Sequence, residues 1–203
     1  MKIICVGRNY AAHIAELENE RPEYPVLFIK PDTSLLQKKQ PFFIPHFTDD
    51  IHYEVELVVR IDRIGKHIEP QFASKYYSHL GLGIDFTARN VQQELKAKGL
   101  PWEKAKAFDG SALVGDWVPK TALPNLDSIA FSLEKNGEIV QRGNSAQMLW
   151  KIDDLISYCS TFFTLKIGDI LFTGTPAGVG AVAEGDLLTG FLESKEAFSV
   201  KIK

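Results

Sequence analysis

Residues 52–59 read HYEVELVV, a stretch in which charged and apolar side chains alternate. Successive side chains of a β-strand point to opposite faces. The apolar positions are therefore predicted to face a core: Tyr53, Val55, Leu57 and Val59. Glu54 and Glu56 then share the other face. Two glutamates on the solvated face of a strand need no function, so the remaining chain must decide between a solvated face and a pair of ligands.

The composition predicts one globular domain over residues 1–203. Hydrophobic residues make up 45% of the chain and charged residues 24%, and the net charge is −3. This balance argues against a nucleic-acid partner. No apolar run approaches the roughly 20 residues of a membrane span, and the segment MKIICVG is too short for a signal peptide. Cys5 and Cys159 lack metal-ligand spacing, which favours reduced thiols in a cytoplasmic protein.

Short strand-like runs bounded by turn residues dominate the chain. Asn136-Gly137 is a strong signal for a two-residue hairpin turn, so residues 129–134 and 138–142 are predicted to pair. Helical periodicity is confined to residues 10–20, 87–99 and 144–163, with Asn144 or Ser145 as a possible cap of the last. Strands and helices do not alternate regularly, so we expect an α+β, β-dominated fold.

Asp85 follows the apolar run LGLGI and precedes the helix predicted to begin at Thr87. It fits a helix-capping acid. It also fits a third carboxylate that emerges at a strand end beside Glu54 and Glu56. Three carboxylates would form an all-oxygen cage, which favours Mg²⁺, Mn²⁺ or Ca²⁺ over zinc.

His13 and Glu16 lie at i and i+3 of the first predicted helix, so both side chains share one face. Such a pair is usually a solvated ion pair. Alternatively, the carboxylate orients the imidazole, which then acts as a general base.

The segment FTGTPAGVG (172–180) lacks the Gly-Lys-Ser/Thr ending of a phosphate loop and precedes no helix, which excludes nucleotide binding. Its Gly174-Thr175 turn can still offer N–H groups and a hydroxyl to a small anion. Lys106 is a candidate cation after the second helix, although its neighbour Lys104 shows that a lysine there can be mere surface.

Six motifs together resemble the fumarylacetoacetate hydrolase family in order and spacing. They are GRNYAAH (7–13), FIKPDTSLL (28–36), HYEVEL (52–57), GIDFTARNVQ (83–92), GLPWEKAKAFDG (99–110) and GDILFTGTPAGVG (168–180). The resemblance covers nearly the whole chain and is strongest to the short single-domain branch, which includes acylpyruvate hydrolases and oxaloacetate decarboxylases. It implies a mixed β-roll with a few flanking helices and, commonly, a homodimer.

The resemblance also implies roles for individual residues. Glu54, Glu56 and Asp85 would bind Mg²⁺ or Mn²⁺, and His13, oriented by Glu16, would activate water. The remaining positions would contact the substrate or stabilise an oxyanion: Arg8, Lys30, Arg89, Gln92, Lys106, Gly174 and Thr175. Residues 8–22 would form a lid that becomes ordered over bound ligand.

The activity predicted first is metal-dependent hydrolysis of a C–C bond in acylpyruvates, that is, 2,4-dioxo acids, through a metal-bound enolate. The nearest alternative is decarboxylation or keto–enol tautomerisation of oxaloacetate. Isomerisation or decarboxylation of hydroxymuconate-type diacids is a third. A non-catalytic module that holds a structural cation is the alternative outside enzymes, but such a module has no need of the His13–Glu16 pair.

Overall fold

A computed structural model describes residues 1–17 and 20–203 of the chain. The fold is α+β and β-dominated, as predicted. The strands are β1 (Ile3–Gly7), β2 (Val26–Lys30), β3 (Ile51–Tyr53), β4 (Val55–Ile61), β5 (Tyr77–Asp85), β6 (Thr87–Ala88), β7 (Ala112–Val114), β8 (Val118–Pro119), β9 (Ala130–Lys135), β10 (Glu138–Asn144), β11 (Ile170–Phe172), β12 (Gly180–Ala181), β13 (Leu187–Leu192) and β14 (Lys195–Lys201). The α-helices are α1 (Ala11–Glu16), α2 (Pro70–Ala73), α3 (Arg89–Ala97), α4 (Glu103–Lys106) and α5 (Ile152–Phe162).

The largest sheet has the order β2-β1-β11-β4-β5-β7, with β8 also pairing with β5. Its β1–β11 pair is parallel, with Ile3 opposite Ile170, and its other pairs are antiparallel. In the described part of the chain, two smaller sheets accompany it, in the orders β10-β9-β13-β14 and β12-β3-β6. The sheet is therefore mixed, and its two central strands are β11 and β4.

Both faces of the large sheet are covered, which the alternation of side chains makes visible. In β4, Val55, Leu57 and Val59 enter the main core together with the four-stranded sheet and α5. Val58 enters a second cluster on the opposite face, with Cys5 among others. The face that carries Glu56 is consequently buried rather than solvated.

The predicted hairpin is confirmed by the pairing of β9 with β10. Glu138 pairs with Lys135, and the pairing continues to Asn144 opposite Ala130. Asn136 and Gly137 both adopt positive φ, 55° and 85°, as a tight two-residue turn requires. Asn144 also acts as predicted: its side chain accepts a hydrogen bond from the N–H of Ala146 and caps a short 3₁₀ turn.

Helix α3 begins two residues later than the sequence predicts. Thr87 and Ala88 form β6, which pairs with β3, and the helix starts at Arg89. No side chain caps it, so the capping interpretation of Asp85 is wrong. The helix ends near Gly99, whose φ of +63° suits a C-terminal stop. Among the described residues, no helix has the length and apolar character needed to cross a membrane.

The segment predicted to be a lid is helical where it is described. Residues 18 and 19 of this segment lie outside the described residues, whereas Ala11–Glu16 form α1. His13 and Ile14 are buried. The start of the segment thus packs against the body of the protein.

Candidate active site and metal centre

The register of β4 and β5 brings the three predicted carboxylates to one face of the sheet. Val55 lies opposite Ile84, and Glu56 lies opposite Gly83. The N–H of Asp85 donates to the carbonyl of Glu54 at 2.9 Å. Because side chains alternate, Glu54, Glu56 and Asp85 all point away from the main core. Gly83 leaves room beside them: a Cβ there would lie 2.5 Å from the carbonyl oxygen of Leu113.

The three carboxylates form one buried cluster. Glu54 is 5% exposed, Glu56 2% and Asp85 0%. One oxygen from each lies within 4.8 Å of the others. The solvated-face interpretation of the glutamates is therefore wrong, because water does not screen these charges. Buried charges of one sign require cations or protons.

Two of these carboxylates are engaged by cationic side chains. Lys106 Nζ lies 2.8 Å from Glu54 Oε2 and 2.8 Å from Asp85 Oδ2, and Arg89 Nη2 lies 2.6 Å from Glu54 Oε1. Burial alone would raise the pKa of Glu54, but Lys106 and Arg89 outweigh it and lower the pKa below its ordinary value. Lys106, at 3% exposure, is not a surface residue.

Lys30 lies behind the cluster rather than in the cavity. It is fully buried, and its Nζ donates to the carbonyl oxygens of Lys106 and Ser111. Nζ is also 2.8 Å from Asp85 Oδ1, but without hydrogen-bond geometry, so this oxygen has no hydrogen-bond donor among the described residues. The position of Lys30 suits support of Asp85 and does not suit the substrate contact that the sequence predicts.

Glu56 is the carboxylate with the least compensation. The N–H of Gly174 donates to its Oε2 at 2.6 Å. Burial, followed by the charges of Asp85 and Glu54, raises the pKa of Glu56 well above its ordinary value. This carboxylate has the most to gain from a bound cation. Gly174 thus contacts a carboxylate of the cluster directly.

His13 and Glu16 form the predicted pair. His13 Nδ1 lies 3.0 Å from Glu16 Oε2, and the imidazole is buried while the carboxylate is partly exposed. The other oxygen of Glu16 accepts a 2.9 Å hydrogen bond from the N–H of Gly178. The loop after β11 therefore holds Glu16, and Glu16 in turn holds the imidazole.

One small cavity, of about 50 Å³, connects these groups. Most of the predicted site residues line it: Arg8, His13, Glu54, Glu56, Asp85, Arg89, Gln92, Lys106 and Thr175. Lys30, Glu16 and Gly174 stand behind the lining and contact it from outside. Arg89 Nη1 donates to Gln92 Oε1 at 2.6 Å, which leaves the amide NH₂ of Gln92 available to the cavity.

Several cavity or supporting residues were not predicted from the sequence. Leu17, Phe28, Lys96 and Trp102 also line the cavity. Lys96 follows Arg89 by seven residues on one helix face, which is a signal that the sequence does contain. Gln141, on β10, is 1% exposed and contacts the loop beside Thr175. Nothing near Gln141 in the sequence points to this role.

A comparison with protein families decides the classification. The model for the C-terminal domain of fumarylacetoacetate (FAA) hydrolase matches residues 2–203. The chain belongs to the fumarylacetoacetate hydrolase family. Its relatives include an oxaloacetate tautomerase of Escherichia coli (strain K12), 45% identical over 93% of this chain and 86% of the relative. A mitochondrial oxaloacetate decarboxylase of Dictyostelium discoideum is 42% identical over 93% of this chain and 84% of the relative.

Solved structures of the family show the same fold. A fumarylpyruvate hydrolase from Pseudomonas aeruginosa, crystallised with Mn²⁺ and pyruvate, superposes with a TM-score of 0.93 at 36% identity. The match covers 100% of this chain and 89% of that protein. The predicted family and its β-dominated fold are confirmed, and the chain is an enzyme of a family with divalent-metal members.

Proposed function

We propose that this enzyme interconverts the keto and enol forms of oxaloacetate. The proposal differs from the hydrolysis predicted first, because the Escherichia coli relative is an oxaloacetate tautomerase. The observation that carries it is the single cavity lined by both the imidazole of His13 and the carboxylate cluster. A 2-oxo acid in this cavity would lie between a base and a metal centre.

The donor set fits a divalent cation of the Mg²⁺ or Mn²⁺ type. Glu54, Glu56 and Asp85 supply oxygen only, and Asp85 Oδ1 lacks a hydrogen-bond donor among the described residues. When bound there, the cation would polarise the 2-oxo group and stabilise negative charge on its oxygen. In the structure, the ammonium of Lys106 bridges Glu54 and Asp85, which shows that these carboxylates accept a cation between them.

His13 is the group that we propose moves the proton at C3. The contact between Nδ1 and Glu16 fixes the imidazole so that Nδ1–H donates and Nε2 can accept a proton. Tautomerisation needs one proton removed from C3 and one delivered to the 2-oxygen. A single base near neutral pH suits the first of these transfers.

Cationic and amide donors are placed to hold the oxygens of the substrate. Lys106 and Arg89 each contact Glu54, and Gln92 presents its amide NH₂. Donors fixed in advance by such contacts stabilise developing charge without reorganising. Phe28 and Trp102 add apolar wall to the same cavity, which limits the access of water.

Acylpyruvate hydrolysis is the second candidate, favoured by the likeness to the Pseudomonas aeruginosa fumarylpyruvate hydrolase. Oxaloacetate decarboxylation is supported by the Dictyostelium discoideum relative. A purely structural cation site has no support among these relatives. A homodimer and a cytoplasmic location remain part of the proposal; the bacterial relative favours the location, whereas the Dictyostelium protein is mitochondrial.

The decisive experiment follows three products from one substrate. Enolic oxaloacetate is mixed with the enzyme and Mg²⁺ or Mn²⁺, and enol loss, pyruvate formation and exchange of the C3 hydrogens with deuterated solvent are recorded together. We expect fast enol loss and C3 exchange with little pyruvate. Pyruvate formed as fast as the enol disappears would establish decarboxylation instead. Turnover of acylpyruvate alone would establish hydrolysis.

A further inference from the structure

Helix α3 presents a row of polar side chains to the active-site cavity. Arg89, Gln92 and Lys96 lie at i, i+3 and i+7, so they share one helix face, and all three line the cavity. Arg89 and Gln92 are buried at its floor, whereas Lys96 is exposed at its mouth. The helix face therefore runs from the carboxylate cluster outward to solvent.

Arg8 faces this cavity from the end of β1. Its φ of +63° lies in the left-handed region, which is costly for a residue with a side chain. It is half-buried, lines the same cavity as Lys96, and forms no ion pair with any residue that the structure describes. The surrounding fold therefore fixes an arginine in an unfavourable backbone conformation at the cavity wall.

The positive charges of the cavity fall into an inner and an outer group. The inner cations, Lys30, Lys106 and Arg89, each contact Glu54 or Asp85. Neither Arg8 nor Lys96 is engaged by that cluster. Partial burial, followed by the charges of Arg8 and Arg89, lowers the pKa of Lys96. The outer cations thus repel each other across a space that a carboxylate would neutralise.

We propose that Arg8 and Lys96 bind the distal carboxylate of a dicarboxylic 2-oxo acid. The inference rests on the proposed function, because it assumes that the 1-carboxylate and the 2-oxo group of the substrate lie at the acidic cluster. The substrate then extends outward between Leu17, Phe28 and Trp102, whose side chains carry no charge, and its far end meets the two outer cations.

The assignment accounts for discrimination between two substrate classes with the same reactive end. Oxaloacetate ends in a carboxylate, whereas acetylpyruvate ends in a methyl ketone of nearly the same shape. A charge-assisted hydrogen bond to the carboxylate is lost with the methyl ketone, and the outer cations then remain unneutralised. Arg8 and Lys96 would therefore select the diacid.

A matched pair of unreactive ligands tests this assignment without turnover. Malate and 2-hydroxybutyrate share a 2-hydroxy acid end and a four-carbon chain, and they differ by a distal carboxylate against a methyl group. Calorimetric Kd values are measured with Mg²⁺ for wild type, Lys96→Gln, Lys96→Arg and Arg8→Gln. Lys98→Gln is the control, since Lys98 lies on the same helix and pairs with Glu94 at the surface.

We expect Lys96→Gln and Arg8→Gln each to weaken malate binding by about 10- to 100-fold, the usual worth of a charge-assisted hydrogen bond. Binding of 2-hydroxybutyrate should stay within about 2-fold in every variant, and Lys96→Arg should retain the preference for malate. Equal losses for both ligands, or no loss for malate, would overturn the inference. A wild type that prefers malate yet fails to tautomerise oxaloacetate would overturn the proposed function alone.

Discussion

The side-chain oxygen of Gln141 accepts a 2.9 Å hydrogen bond from the backbone N–H of Val55, the residue between Glu54 and Glu56. The hydroxyl of Thr175 donates to the carbonyl of the same Val55 at 2.9 Å, and the Gln141 amide donates to that hydroxyl. Strand β11 ends at Phe172, and beyond it these two side chains replace the missing strand partner. The Glu-x-Glu backbone is therefore held by side chains exactly where the carboxylates converge.

Replacing Gln141 should disturb both stability and catalysis. Gln141→Leu leaves the buried N–H of Val55 without a partner, which costs about 1–3 kcal/mol. We expect urea unfolding to show this loss, and kcat/KM to fall because the glutamates lose their anchor. Gln71→Leu, at an exposed position, is the control and should change the free energy of unfolding by less than about 0.5 kcal/mol. An unchanged midpoint for Gln141→Leu would show that the contact does not support the site.

The acidic cluster should make the enzyme dependent on a divalent cation. Adding Mg²⁺ or Mn²⁺ at about 100 times Kd should stabilise wild type by about 2.7 kcal/mol and raise Tm. Glu56→Gln should abolish this shift together with activity, because it removes a ligand. Asp116→Asn, at a surface acid 82% exposed, should behave as wild type. A full metal-induced shift in Glu56→Gln would exclude this carboxylate as a ligand.

His13 should matter most where a proton must be moved. His13→Ala is expected to lower kcat/KM for oxaloacetate tautomerisation by about 10²–10⁴-fold, the usual contribution of a general base. Decarboxylation of oxaloacetate should fall less, since it depends chiefly on stabilising the enolate. Steady-state kinetics with both readouts, and with bound metal quantified in each protein, test this. Tautomerisation that survives the substitution would return His13 and Glu16 to a simple ion pair.

Helix α1 should become protected when a ligand binds. It has only six residues, and Tyr10 at its N-cap makes no side-chain capping bond. So short a helix is not stable by itself, and its docking through His13 should decide its protection. Hydrogen exchange of Ala11–Glu16 should slow when oxalate and Mg²⁺ are added, while exchange of β4 stays constant. Protection of α1 equal to that of β4 without ligand would rule out a lid.

Local sequence patterns predict the parts of this structure that depend on neighbouring residues. The alternation around Glu54 and Glu56 gives their common face, and Asn136-Gly137 gives the hairpin. The start of α3 is not predictable in this way. Thr87 becomes a strand residue because it pairs with His52, far away in the sequence, and that pairing overrides the helical pattern.

The supporting residues of the site are hidden for the same reason. Gln141 meets Val55 across 86 positions of the chain, in a strand whose own pattern is that of an ordinary hairpin. Lys30 resembles a pocket residue in sequence, yet its ammonium is turned to backbone carbonyls behind Asp85. Which side of a carboxylate a lysine occupies depends on three-dimensional packing, which sequence spacing does not contain.

The parallel pairing of β1 with β11 bears on how the protein is made. Ile3 needs Ile170 as its neighbour, so the first strand of the chain waits, as the ribosome elongates it, until most of the polypeptide has been synthesised. Arg8 and His13 follow that strand directly and reach the cavity only once it is seated. Contacts this distant in sequence form slowly and leave apolar edges exposed meanwhile. Newborn chains should therefore lack a working active site until synthesis is nearly finished, and chaperones would meet them in that interval.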